Sequence, residues 1–350
     1  VSYLSEFAAD EAPYRSPQTA LLDWLRSAHA RTMEPSAQVA FHRVFDRVMK
    51  GLGEIQYRSH YSPDATHTNW DKTELFQEST TSIEKRLAVF DRYTSEAFGR
   101  WYKNTSELPP EILHVTCTGY IAPNAAEKRV SQLEASTRVT PLYHSGCFAA
   151  IPAVREAGFR QHAVDICHTE MCSVHFRPGS CELDQMVIQG LFADGFIRYR
   201  SSAEQPQRES FRVLQSEQHI LPGTSHMMTW QPGSDGFEMR LSREVPEWIG
   251  KSVSGFVDRF NCERGKTYFA IHPGGPRIVD TVCERLKLEE WQFSSSKKVL
   301  REYGNMSSAT LPFIWREMLP SLPTGAQVVS LAFGPGLTLS GMLMQKEGGA

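Results

Sequence analysis

The chain has 350 residues, 41% of them hydrophobic, which is enough for a large core in two domains or one fused unit. Its formal net charge of −3 leaves no polybasic footprint for nucleic acid or an anionic membrane. The seven cysteines (117, 147, 167, 172, 181, 262 and 283) are odd in number and have no CxxC spacing, which argues against a disulfide framework or zinc ribbon and for reduced, cytosolic thiols.

No run of about 18 apolar residues exists, so no membrane span is expected. The opening VSYLSEFAADEAPY is acidic and lacks a long apolar run, so no secretory signal is expected there. The chain begins at Val1 rather than Met, and the numbering is expected to start inside the native protein. Residues 16–31 read as a helix with Ser16 as N-cap and Pro17 in the first turn. A second helix is expected over 36–51. Residues 52–80, rich in polar and turn residues, read as a long loop. Lys50 and Arg58 lie nearby; they could meet the phosphates of a carrier, but solvated surface charge is the simpler reading.

A strong helix covers 82–104, and Pro109-Pro110 ends it. A short buried strand follows at 112–119, then a turn and helix, a strand at VTPLYH, and a helix that begins near Cys147. Residues 162–176 read as a strand, and 184–199 as a helix followed by a strand. This alternation is an α/β signature. Polar residues 200–211 mark a junction, dividing the chain into halves 1–205 and 206–350. In the second half, two strands flank a PGSDG turn within 227–242. A helix is expected at 246–260, a strand at 267–272 ending on His272, helices near 275–287 and 306–319, and two final strands around a glycine-rich turn. No strong sequence repeat is visible, although the halves share a coarse α/β order.

Cys147 stands out because a helix N-terminus favours a thiolate and offers N–H groups to an oxyanion. The plain alternative is a buried structural cysteine. His272 ends a strand before a rigid Pro-Gly-Gly-Pro turn. Asn305 precedes a helix, where it is most simply an N-cap. Cys, His and Asn together serve either a cysteine hydrolase or a decarboxylative condensing enzyme. A papain-type hydrolase wants its cysteine near the N-terminus in a CGSCW-like context. Here 146 residues precede Cys147 and the context is YHSGCFAA, so the hydrolase is rejected.

Seven motifs in order then resemble one family: VTCTG (115–119), LYHSGCFAAIPA (142–153), QGLFADG (189–195), GFEMRLSREVP (236–246), AIHPGGPRIVD (270–280), LREYGNMSSAT (300–310) and AFGPGLT (332–338). The chain resembles the type III polyketide synthases, the chalcone-synthase-like branch of the thiolase-fold condensing enzymes, over most of its length after about residue 82. The resemblance implies a thiolase-like five-layer αβαβα fold of two similar halves, the first carrying Cys147 and the second His272 and Asn305. It implies a cytoplasmic homodimer that uses acyl-CoA and malonyl-CoA, or an acyl-carrier protein, with no metal and no bound cofactor.

By the same resemblance Cys147 is the nucleophile, and His272 and Asn305 drive decarboxylation. Phe192 is the aromatic gatekeeper, though without the motif it reads as plain core. Gly334, Pro335 and Gly336 shape the cavity floor. Cys117, with Thr118 beside it, and His175 stand at plant threonine positions, and Trp230 falls near a plant glycine. Glu170 and Ser307 match two members of a plant hydrogen-bond network that favours aldol closure. Cys117, a weak hydrogen bonder, would be its third member, which tilts the expectation toward lactones. The strings TCTG and W-x5-GFxMxLSxxVP resemble bacterial members that make alkylpyrones or alkylresorcinols from fatty acyl starters. The alternatives are a pyrone-forming or single-round ketosynthase that uses the same triad, joining two preformed acyl thioesters or condensing once, or a catalytically silent scaffold of the same fold.

Overall fold

The computed structural model describes residues 2–31, 33–67, 69–78, 80–178 and 182–348. The apolar runs pair into one nine-stranded sheet. In the first half Glu111–Thr116 lies parallel to Arg138–Tyr143 on one side and to Val164–Met171 on the other. Asp194–Ser202 runs antiparallel to Val164–Met171, and Ser2–Asp10 runs antiparallel to Asp194–Ser202. The second half repeats this order without a counterpart to Arg138–Tyr143. Tyr268–Ile271 lies parallel to Gln327–Gly334, which is antiparallel to Thr338–Glu347, which is antiparallel to Ser210–Ile220. The halves meet where Ser2, Tyr3 and Leu4 pair with Val213, Arg212 and Phe211.

Successive strand residues face opposite sides of the sheet, and this alternation separates the layers. Leu113, Val115 and Ile166 from one half, and Val328, Ala332 and Met342 from the other, face a shared interior. Two helices fill it, Ala150–Ala157 and Thr310–Met318, each packed on strands of both halves. Ile151, Val154, Ile314 and Trp315 are fully buried there, each worth roughly 1.5–3 kcal/mol of transfer free energy. The Trp315 indole also donates to Ser330 Oγ at 2.8 Å, so its one polar atom is satisfied. Ile112, Cys167, Phe269 and Leu331 face outward, against helices such as Ile83–Trp101 and Pro276–Leu286. The result is the thiolase-like αβαβα fold.

Four local expectations change. The first helix is Gln18–Ala30, because Tyr14–Pro17 is a strand paired with Tyr57–His60; Ser16 is therefore no cap. The same pairing places a strand inside the region read as loop. The helix Glu290–Tyr303 breaks the apolar period with three serines, yet Ser296 is buried and accepts from Ile271 N–H at 2.9 Å. Its start is a capping box between Glu289 and Gln292. The strand Ser2–Asp10 was hidden by its acidic residues, and its register shifts between Ser5 and Ala8. Among the described residues no helix is long and apolar enough to cross a membrane, and the six described cysteines are free thiols; Cys181 lies outside the described residues.

Candidate active site

Cys147 sits in the turn after the strand Arg138–Tyr143, closed by Ala149 N–H donating to Gly146 O at 3.1 Å. Gly146 has φ +79°, and a Cβ there would lie 2.5 Å from Pro335 Cδ. A Cβ on Gly334 would lie 2.4 Å from Phe148 Cδ1. Both positions need glycine so that the Gly334-Pro335-Gly336 turn can press against the loop carrying Cys147. The helix Ala150–Ala157 begins three residues after Cys147, so its positive end is set back from the thiol. Burial pushes the Cys147 thiol up to about 12, outweighing the Ser307 hydroxyl, which stands 3.7 Å from Sγ. The expected helix start at or next to Cys147 is corrected: the helix begins at Ala150.

Asn305 is held on both sides by the backbone of the Leu191–Ala193 segment. Its N–H donates to Leu191 O at 3.1 Å and its carbonyl accepts from Ala193 N–H at 2.8 Å. The side-chain oxygen accepts from Ser307 N–H at 2.9 Å, so it caps the turn Ser307–Ala309 ahead of the helix Thr310–Met318. With the oxygen committed, the NH2 end is the one left for other work. Ser307 is held at φ +49°, a strained conformation for a residue with a side chain, at a cost on the order of 1–3 kcal/mol.

His272 follows the strand Tyr268–Ile271, its N–H bonded to Leu331 O at 2.7 Å. Among the described residues neither ring nitrogen has a hydrogen-bond partner, and burial lowers the imidazole to about 3. The turn after it approaches the same segment: a Cβ on Gly275 would lie 3.8 Å from Leu191 Cδ2. Taken singly, thiol and imidazole are both neutral. A proton passed from one to the other would create an ion pair whose attraction in a low-dielectric pocket opposes both desolvation costs.

A narrow cavity of about 40 Å³ opens over Cys147, room for only a few water molecules. Phe192, Ser307 and Pro335 line it, as do Cys117, Thr118, His175 and Trp230. Asn305, His272, Gly334, Gly336 and Glu170 are not among the residues that line it. The hairpin register pairs Trp230 with Met239, and the indole is on the cavity wall, where it donates to Cys117 O at 2.6 Å. His175 donates from Nε2 to Thr118 O at 2.7 Å and accepts Phe237 N–H on Nδ1 at 3.2 Å. Both nitrogens are used, and burial keeps the ring neutral, so His175 is wall rather than acid or base. It stacks on Phe237 with centroids 4.4 Å apart, and Trp230 stands edge-on to both.

The network around Glu170 differs from the expectation. Its buried carboxylate accepts from Cys117 N–H at 3.0 Å, from Thr118 Oγ1 at 2.9 Å, and from the Ser308 hydroxyl rather than Ser307. The left-handed turn at Ser307 sends its own hydroxyl to Cys147 instead. Cys117 joins through its backbone. Its thiol accepts from Gly146 N–H at 3.0 Å and donates to Gly146 O at 3.2 Å.

Arg58 is the functional neighbour that sequence reasoning misplaced. It is fully buried, while Lys50 is exposed as expected. The guanidinium donates to Gln18 Oε1 at 2.7 Å, Gln189 O at 2.5 Å and Phe192 O at 2.9 Å, so it anchors residues 189–192. A Cβ on Gly304 would lie 2.9 Å from Arg58 Cγ, and that glycine, at φ +76°, was the one available signal.

Two repeated half-sheets around a shared helical layer, with the thiol loop at the end of one half and the histidine at the end of the other, define the thiolase-like class. Residues 212–347 match the family described as chalcone and stilbene synthases, C-terminal domain. A bisdemethoxycurcumin synthase from Oryza sativa subsp. japonica is 30% identical, covering 86% of this chain and 82% of that protein. The Dictyostelium discoideum protein named Probable polyketide synthase 1 is also 30% identical, over 67% of this chain but only 8% of that much longer relative. The crystal structure of PKS-I from the brown alga Ectocarpus siliculosus superposes with a TM-score of 0.84 at 21% identity, covering 99% of this chain and 98% of that one. The chain belongs to the chalcone and stilbene synthase family, the type III polyketide synthases.

Proposed function

We propose that this protein condenses a fatty acyl thioester with malonyl-CoA and releases the product as an α-pyrone. The observation that carries this reading is the Cys147 thiol at an apolar cavity whose gatekeeper, Phe192, is bridged through its backbone to Asn305. His272 takes the Cys147 proton. The thiolate attacks the acyl thioester carbonyl, and the carrier thiolate leaves with that proton. Malonyl-CoA then loses CO2, and the enolate oxygen is held by the Asn305 NH2 and the His272 ring. The enolate carbon attacks the Cys147 thioester and expels the thiolate. The extended chain, now a CoA thioester, passes back to Cys147 with loss of CoA thiolate for a further round. After two rounds the C5 enol oxygen attacks the C1 thioester carbonyl, expels the thiolate that carried the chain and closes the six-membered lactone. A chain that stops after one round leaves unclosed.

Phe176, Ile188 and Met239 line the cavity and suit an aliphatic starter. Lactone closure is favoured because every donor around Glu170 fixes it behind the wall, away from the growing chain. The protein works in this reading as a cytoplasmic homodimer, without metal or cofactor, on CoA or acyl-carrier-protein thioesters. The cavity's narrowness equally favours a ketosynthase that stops after one round. Incubation with malonyl-CoA and acyl-CoAs from acetyl to palmitoyl, followed by mass spectrometry, separates the two. Triketide pyrones from the longer starters are expected. A lone β-keto acyl product selects the ketosynthase, and no extended product at all sinks both.

A further inference from the structure

His168, fully buried on the strand Val164–Met171, takes no part in the chemistry above. Its ring lies 3.0 Å from Ser308 Oγ through Nδ1 and 3.2 Å from the Tyr199 hydroxyl through Nε2. The single hydroxyl hydrogen of Ser308 is donated to Glu170 Oε1. The contact with His168 must therefore be a donation from Nδ1–H to Ser308 Oγ. Burial keeps the imidazole neutral, so Nε2 carries a lone pair and accepts the Tyr199 hydroxyl. Three hydrogens then run one way, from Tyr199 to His168, from His168 to Ser308 and from Ser308 to Glu170.

The chain ends where two loops meet. Glu170 holds Cys117, whose thiol grips both backbone atoms of Gly146, next to Cys147. Ser308 follows Ser307, whose strained backbone N–H fixes the Asn305 amide and whose hydroxyl faces Cys147. One carboxylate thus ties the loop of the nucleophile to the loop of Asn305. Packing alone does not need the less common Nδ1–H tautomer or a chain of one polarity.

We propose that His168 is a positioning residue for decarboxylation: its Nδ1–H locks Ser308 onto Glu170, Tyr199 fixes its tautomer, and the lock sets the Asn305 amide. This rests on the condensing reading above. An Asn side chain can replace the Nδ1–H donor with its own NH2, whereas Leu cannot. His168→Leu should still gain the acyl adduct on Cys147, but kcat for CO2 release from malonyl-CoA should fall ~10–100-fold with little change in KM, as expected for a small misplacement of a catalytic group. His168→Asn should recover to within a few-fold of wild type, and Tyr199→Phe should lose less than His168→Leu.

Equal kcat in the Leu and Asn variants, or a loss through KM alone, overturns the proposal. Should neither variant fold, 15N NMR of histidine-labelled wild type decides: His168 protonated on Nδ1 is expected, and on Nε2 overturns it. Wild type that acylates Cys147 yet releases no CO2 overturns the condensing reading, and the tautomer still decides the chain.

Discussion

At the scale of single residues, Cys147 and His272 share one constraint: burial disfavours the charge each would carry. If the thiolate exists only by proton transfer to His272, then His272→Ala should strand the thiol near its burial-shifted value. Alkylation of Cys147 by iodoacetamide at pH 8 should slow at least ~10-fold, because the thiolate is the reactive form; an unchanged rate would remove His272 from the proton path. In the proposed reaction Asn305 would act through the NH2 end of its amide, since the oxygen accepts from Ser307 N–H. Asn305→Ala should still take an acyl group from acyl-CoA, as seen by intact-protein mass spectrometry, while CO2 release falls ~10²–10³-fold. Cys147→Ala should gain no adduct. A decarboxylation rate that survives Asn305→Ala would leave only the cap it makes to Ser307.

At the scale of elements, the parts legible from sequence were those where local pattern and tertiary demand agree. The helix Ile83–Trp101 carries a Ser82 cap and one apolar face, and its limits follow from both. The turn of Gly334, Pro335 and Gly336 and the histidine after Tyr268–Ile271 also sit where the motifs put them. What was hidden depends on partners far away in sequence. Arg58 reads as a surface charge until Gln189 and Phe192 surround it, and the strand Tyr57–His60 exists only because Tyr14–Pro17 pairs with it. Ser308 replaces Ser307 on Glu170 because of one left-handed residue, which no spacing rule reveals. The glycine contacts can be tested at this scale. Gly334→Ala drives a methyl against the Phe148 ring, so the melting temperature should drop with a cost of about 1–3 kcal/mol. Gly334 is not at positive φ, so Gly223→Ala, at φ +75° with no atom within 4 Å, is the contrasting case that meets backbone strain without a clash.

At the scale of the whole molecule, the cavity is built where the halves meet. Cys117 and His175 come from the first, Trp230 and Phe237 from the second. No single half therefore sets the size of this cavity. The indole of Trp230 closes it, pinned by its bond to Cys117 O, while His144 donates to the Trp230 carbonyl at 2.8 Å. Trp230→Gly should open the wall by the volume of an indole and shift products toward one or more extra malonyl units, read by mass spectrometry from a fixed acyl-CoA starter. The change also strips the partner from Cys117 O, a cost of roughly 1–3 kcal/mol for a buried acceptor left unpaired. Lower stability alone could blunt activity without changing product length, so Trp230→Phe is the companion. It loses the same hydrogen bond but keeps most of the bulk, and should destabilise without lengthening the product. Longer chains from Trp230→Phe as well would mean that the hydrogen bond, and not the filled volume, holds the wall in place. Unaltered chain length in both variants would move the stop elsewhere, to the stacked pair of His175 and Phe237 behind it.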